Sequence, residues 1–192
     1  MARESITGVV LAGGLGRRMG GVDKGLQQFR GQPLAAHVAQ RLAPQVDRLL
    51  FNANRNPEAY AALGYPVIAD GIPDFAGPLA GLHAALTASA DPLVATAPCD
   101  SPFLPADLVF RLFSGLTATS ADIAVARAGE RLHPVFCLCR REVLPALTAY
   151  LAQGGRRVQD WLATQRSTVV AFDDHPEAFA NFNTLAQLAV PN

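Results

Sequence analysis

The stretch ITGVVLAGGLGRRMGGVDKG, residues 6–25, runs from a short apolar segment straight into a loop with glycine at 13, 14, 16, 20 and 21. Ile6 to Leu11 (ITGVVL) is a short, largely apolar run that reads as a buried strand, as in a parallel sheet covered by helices. The glycines behind it let the backbone approach a ligand closely and turn N–H groups inward around anionic oxygens. Arg17, Arg18 and Lys24 add positive charge beside that bare backbone. A triphosphate is the guest that suits this combination. Lys24 is the only lysine in the chain, the other fifteen basic residues being arginine, which points to a compact ammonium wanted at this place, the alternative being an ordinary solvated surface lysine.

Two familiar phosphate loops do not fit. A Walker A loop needs GxxxxGK followed by Ser or Thr, whereas Lys24 follows Asp23 and precedes Gly25. A dinucleotide fold would want an acidic residue ending the second strand to hold a ribose. Asn52-Ala53-Asn54 stands there instead.

Outward from the loop, apolar runs alternate with helix-period segments. Pro33 to Leu42 places Leu34, Val38 and Leu42 on one helix face; Arg48 to Phe51 reads as a strand, Pro57 to Leu63 as a short helix closed by Gly64, and Tyr65 to Ala69 as a strand. Leu79, Leu82 and Leu86 mark the next helix, Pro92 to Ala97 the next strand, and Pro105 to Phe113 a helix that Pro102 and Pro105 start. Then follow strands at Asp122 to Ala126 and Pro134 to Leu138, a helix from Arg140 to Leu151, a short helix around Val158, Trp161 and Leu162, a strand from Ser167 to Phe172, and a helix near Thr184 to Leu188. This βαβ alternation predicts an α/β fold: one three-layer α/β/α domain over residues 1–192 with a Rossmann-like, mostly parallel sheet. In such sheets the ligand sits over the carboxyl ends of the strands, which here deliver the glycine loop, Asn52, Asp70 and Asp100 to one edge. Asp100 ends a buried strand in ATAPCDSPF, and a carboxylate beside a triphosphate is what magnesium asks for. The structural alternatives are a helix cap for Asp100 and an Asx turn for Asp70.

The 192 residues are half hydrophobic, enough for a sizeable core. Sixteen basic and sixteen acidic residues cancel, leaving no broad positive field for nucleic acid or an anionic membrane. No segment approaches the roughly 18 to 20 apolar residues of a membrane span, and a cytoplasmic location is expected. Cys99, Cys137 and Cys139 suit a reducing compartment, with Cys137 and Cys139 expected on one strand face as small apolar residues in preference to metal ligands. His37, His83, His133 and His175 have no metal-ligand spacing and read as surface or core-edge groups; Trp161 reads as core, with a stacking face for an aromatic ligand as the alternative, and Arg156 with Arg157 as either an exposed helix start or a phosphate contact.

With these residues laid out, the sequence resembles the molybdenum cofactor guanylyltransferase family, within the GT-A-like nucleotidyltransferases. The likeness rests on LAGG with RRMGGVDKG, on FNANR, VIAD, GPLAG, APCDSPF and NFNT, and runs through nearly the whole chain. It implies transfer of GMP from GTP to molybdenum-molybdopterin with release of pyrophosphate, and Mg²⁺ as cofactor. It further implies GTP contacts at Leu11, Ala12, Gly13, Gly14, Lys24, Asn52, Asp70 and Asp100, with Asp100 also the metal ligand. Lys24, Asp100 and Arg18 become catalytic groups, Gly21 joins Arg18 in phosphate handling, and Asn181 and Asn183 fall in the segment implicated in molybdopterin binding. The partners implied are GTP, molybdenum-molybdopterin and molybdoenzyme chaperones or molybdenum-insertion proteins, without nucleic acid or membrane. The competing readings are a cytidylyltransferase for the same pterin, a sugar-1-phosphate nucleotidyltransferase and a non-catalytic GTP-binding adaptor. LAGG, with glycine where the cytidylyl enzymes tend to carry alanine, favours guanine.

Overall fold

Seven strands form one twisted sheet: β1 (Ile6–Leu11), β4 (Arg48–Asn52), β5 (Val67–Ile68), β6 (Leu93–Pro98), β7 (Ile123–Ala128), β8 (Arg131–Arg140) and β9 (Ser167–Ala171), in the order β5-β4-β1-β6-β8-β7-β9. The remaining two, β2 (Gln28–Phe29) and β3 (Gln32–Pro33), form a separate hairpin. These come from a computed structural model that describes residues 4–12, 22–72 and 77–180. All neighbours in the large sheet pair parallel except β8, which runs antiparallel to both β6 and β7. Among the described residues six helices cover the sheet: α1 (Leu34–Leu42), α2 (Pro57–Ala61), α3 (Pro78–Ala88), α4 (Leu108–Ala118), α5 (Leu144–Ala152) and α6 (Val158–Leu162).

The alternation of β1 shows why three layers form. Ile6 and Val10 enter a core with Val38 and Leu42 of α1 and Leu108, Leu112 and Leu116 of α4. Val9, between them, enters the opposite core with Leu82 and Leu86 of α3, Leu147 and Leu151 of α5, and Trp161 of α6. Each such fully buried aliphatic side chain stabilises the fold by about 1.5–3 kcal/mol relative to exposure. The mostly parallel α/β/α sheet expected from the alternation is therefore present. Trp161 lies in the core, and Cys137 and Cys139 share a buried face of β8 with their sulfurs 3.7 Å apart.

Several boundaries differ from the sequence reading. The helix expected from Pro105 begins at Leu108, because Gln45 reaches across to accept the Val109 N–H (2.9 Å) and donate to the Pro105 carbonyl (2.9 Å), holding Pro105 in the preceding turn. The Tyr65 to Ala69 strand shortens to Val67–Ile68 at the sheet margin. The Pro134 to Leu138 strand lengthens to Arg131–Arg140, and Pro134 is tolerated because the β7 register slips there: Val125 faces Cys137 while Ala126 faces His133. The β2–β3 hairpin has no counterpart in the apolar pattern; it turns through Arg30 and Gly31 at φ 48° and 79°. The helix near Thr184 to Leu188 lies outside the described residues. Among the described residues no helix is long and apolar enough to cross a membrane.

At the amino end of the sheet, buried Asp91 ties β1 to β6. Thr7 Oγ1 and Ser5 Oγ donate to its carboxylate at 2.6 and 3.0 Å, and Arg48 approaches at 3.1 Å. The Thr7 hydroxyl above all, then Ser5 and Arg48, hold this carboxyl below its ordinary value against the opposing effect of burial. A carboxyl depressed in the folded state contributes stability that is present above the unfolded value of about 3.9 and is lost as pH falls through the lower folded value. Asp91→Asn is expected to cost about 1–3 kcal/mol at pH 7. Its urea midpoint should also drop less than the parent's between about pH 5 and pH 3, measured by denaturation at each pH.

Candidate active site

β1 is hydrogen-bonded on both flanks, to β4 on one side and β6 on the other. The chain moves outward from β1 to β4 and β5, then crosses back to β6 on the opposite flank, so the topology switches direction beside the end of β1. An open α/β sheet places its ligand crevice at that switch. Backbone bonds knit the edge together. Ala12 N–H donates to the Asn52 carbonyl (2.8 Å), Cys99 N–H to the Leu11 carbonyl (3.0 Å), and Ala53 N–H to the Ile68 carbonyl (2.9 Å).

Four of the side chains singled out from the sequence meet here in two pairs. Lys24 Nζ stands 3.5 Å from Asp100 Oδ2, joining the end of the glycine loop to the end of β6 although the residues are 76 apart in sequence. Asn52 Nδ2 donates to Asp70 Oδ1 at 3.0 Å, joining the ends of β4 and β5. Leu11 and Ala12 lie at the end of β1 between these pairs, as expected for a strand entering the site. Gly13, Gly14, Arg18, Gly21, Asn181 and Asn183 lie outside the described residues.

Burial and charge differ between the two carboxylates. Asp100 is only 8% exposed, and this burial raises its carboxyl above the ordinary range, with the Lys24 ammonium and its hydrogen bond pulling the other way. It is not a cap of α4, which starts eight residues later behind Asp107. Asp70 is gripped twice more by Asn54, whose Nδ2 donates to Asp70 Oδ2 (2.7 Å) while its Oδ1 accepts the Asp70 N–H (2.8 Å). Gly81 of α3 leaves room for Asn52, because a Cβ there would lie 2.7 Å from Asn52 Oδ1.

Sequence reasoning missed the groups that hold Lys24. Lys24 opens a single 3-10 turn, Lys24–Leu26, and its neighbour Asp23 receives the Tyr60 hydroxyl on Oδ1 (2.5 Å) and Asn56 Nδ2 on Oδ2 (3.0 Å). Gly25 fits beneath this contact, since a Cβ would sit 2.4 Å from the Tyr60 oxygen and 3.2 Å from both Cβ and Sγ of Cys99. The asparagines at 52, 54 and 56 are visible as a pattern, but their partners are remote in sequence. The remaining histidines have local partners: His37 faces the Phe29 carbonyl (2.7 Å), His83 faces Thr148 (3.0 Å), His133 packs on the Phe179 ring (4.8 Å) and His175 lies 3.7 Å from Asp174. Arg156 donates to the Leu151 and Gly155 carbonyls just before α6.

A mostly parallel sheet with an ammonium and a carboxylate facing each other at its switch point is the architecture of a ligand-binding α/β domain, and its likeness to known proteins places it in the nucleotidyltransferase class. Residues 8–169 match the MobA-like NTP transferase domain, and the chain belongs to that family. It is 53% identical to a molybdenum cofactor guanylyltransferase of Cupriavidus necator, the match covering 98% of this chain and 96% of that protein. Identity to the protein of the same name from Bordetella petrii is 51%, with 97% and 96% covered. Among solved structures it is similar to molybdopterin-guanine dinucleotide biosynthesis protein A from Archaeoglobus fulgidus, with TM-score 0.78 and 22% identity over 95% of this chain and 94% of that one. The fold is also shared with a 2-C-methyl-D-erythritol 4-phosphate cytidylyltransferase from Thermus thermophilus, at TM-score 0.70 and 16% identity over 97% and 96%.

Gly25→Ala is expected to destabilise the protein by about 1–3 kcal/mol, because neither the buried Tyr60 oxygen nor the Cβ and Sγ of buried Cys99 can retreat freely. Gly71→Ala serves as the comparison, since among the described residues nothing lies within 4 Å of the position its Cβ would take. Denaturant midpoints of the two variants check the difference.

Proposed function

We propose that this protein transfers GMP from GTP to molybdenum-molybdopterin, forming the guanine dinucleotide form of the cofactor and releasing pyrophosphate. The observation that carries the reading is the Lys24–Asp100 pair, 3.5 Å apart at the switch point in a member of the MobA-like family. Full-length relatives about half identical in sequence carry the name molybdenum cofactor guanylyltransferase, which supports guanine and the pterin over the cytidylyl and sugar-phosphate alternatives.

The attacking group is a pterin phosphate oxygen, already ionised near neutral pH, so the site needs no general base. It forms a bond to the α-phosphorus of GTP as the bond to the bridging oxygen of pyrophosphate breaks, and pyrophosphate departs with that electron pair. Lys24 places a positive charge where negative charge accumulates on the phosphate oxygens, and Arg18 is assigned the same task from the loop. Asp70 keeps lone pairs beyond those engaged by Asn52 and Asn54, which suits it to accept from the guanine N1–H and 2-amino group. Backbone at Leu11, Ala12, Gly13 and Gly14 borders the nucleotide, and Asn181 with Asn183 is assigned to the pterin.

Asp100 is assigned as the protein ligand of Mg²⁺. Among the described residues no group of three or more His, Cys, Asp or Glu gathers to cage a metal, and a buried carboxylate beside bound phosphates fits magnesium, which takes one or two carboxylates and completes its shell with phosphate oxygens and water. When bound, the ion supplies charge neutralisation of the triphosphate. Asp100 also holds the Lys24 ammonium, 3.5 Å away, at the same end of the sheet. The reading takes residues 1–192 as one nucleotidyltransferase domain working in the cytoplasm and passing its product to molybdoenzyme chaperones or molybdenum-insertion proteins.

Labelled GTP, Mg²⁺ and molybdenum-molybdopterin should yield labelled dinucleotide and pyrophosphate, with CTP, ATP and UTP poor substitutes. Lys24→Ala and Asp100→Ala should each lower turnover at least about a hundredfold, the scale of losing one electrostatic stabiliser. Binding of GTP without pyrophosphate release in the presence of acceptor would instead identify an adaptor, and preference for CTP a cytidylyltransferase.

A further inference from the structure

We propose that Tyr60 is a positioning residue that, through Asp23, aims Lys24 at Asp100. This rests on the reading of Lys24 and Asp100 given above. Lys24 sits in a turn of three residues, too short for helical hydrogen bonding to fix its direction, and its side chain is 24% exposed. The residues on either side of it are clamped. Asp23 accepts the Tyr60 hydroxyl (2.5 Å) and the Asn56 amide (3.0 Å) on separate oxygens, and its backbone carbonyl accepts Gln27 Nε2 (3.1 Å). Gly25 is pressed against the Tyr60 oxygen and Cys99, the residue immediately before Asp100.

Tyr60 can bear this load because it is itself immobile. It is fully buried in α2, its ring 5.4 Å from that of Phe51 in β4. Burial, then the neighbouring Cys99 and Asp23, keep its hydroxyl protonated, so it remains a donor to the carboxylate. Asn56, the residue before Pro57 at the start of α2, lies at φ 49°, which turns the chain so that its amide and the Tyr60 hydroxyl reach the same carboxylate. One connection, from β4 into α2, thereby transmits the position of the sheet to the lysine. Misplacing a catalytic group by about 1 Å costs up to about a hundredfold in rate, so losing one anchor of the clamp should be felt in turnover.

Tyr60→Phe keeps the ring and removes only the hydroxyl, and Asn56→Gly keeps the left-handed backbone and removes only the amide. Both are measured as kcat and KM for GTP with Mg²⁺ and molybdenum-molybdopterin, alone and combined with Lys24→Ala. Tyr60→Phe should lower kcat about tenfold, within the range expected for a displaced group. Asn56→Gly should lower it about threefold, and neither should slow Lys24→Ala by more than about twofold, because an effect routed through Lys24 disappears with it. A rate unchanged by both variants, or an equal loss in the Lys24→Ala background, overturns the positioning role. Full turnover by Lys24→Ala itself overturns the underlying reading of the site.

Discussion

The crevice at the sheet edge depends on β1 being hydrogen-bonded on both flanks by parallel strands, β4 on one side and β6 on the other. Pairing of Leu11 with both Asn52 and Pro98 brings the ends of three strands within one backbone hydrogen bond of each other. Lys24, the Asn52–Asp70 pair and Asp100 inherit their places at one edge from that arrangement. Without the crossover between β5 and β6, Lys24 and Asp100 would have no reason to meet.

The two ends of β6 then treat a buried carboxylate in opposite ways. Asp91, before the strand, accepts two hydroxyls and faces an arginine, so its charged form is favoured and it works as an anchor. Asp100, after the strand, is held above its ordinary range by desolvation, with Lys24 only partly compensating. Burial of a carboxylate with such incomplete compensation does little for stability, and its charged form gains whenever more positive charge arrives. A carboxylate left in that condition in a crevice is a candidate functional group, whereas Asp91, with its partners supplied, serves the architecture.

The segment from Asn52 to Tyr60 links these themes. Its side chains at 52 and 54 secure Asp70, and those at 56 and 60 secure Asp23. A stretch that looks like an ordinary polar connection thus supports both flanks of the crevice. It is legible as a strand end followed by a short helix, because Phe51 closes an apolar run and Pro57 starts a helical turn. Its partners are not legible, since Asp23 lies 33 residues from Asn56 and 37 from Tyr60, and no local code records such pairings.

The same division holds across the chain. Hydrophobic periodicity sets the order of strands and helices, the burial of β1 and the delivery of Lys24, Asn52, Asp70 and Asp100 to one edge, because these follow from side-chain spacing along a few consecutive residues. Three features waited on tertiary contacts: the antiparallel direction of β8 with its slip at Pro134, the delayed start of α4 under Gln45, and the clamp on Asp23. Each depends on atoms from distant parts of the chain arriving at bonding distance, a condition that only the packed sheet supplies.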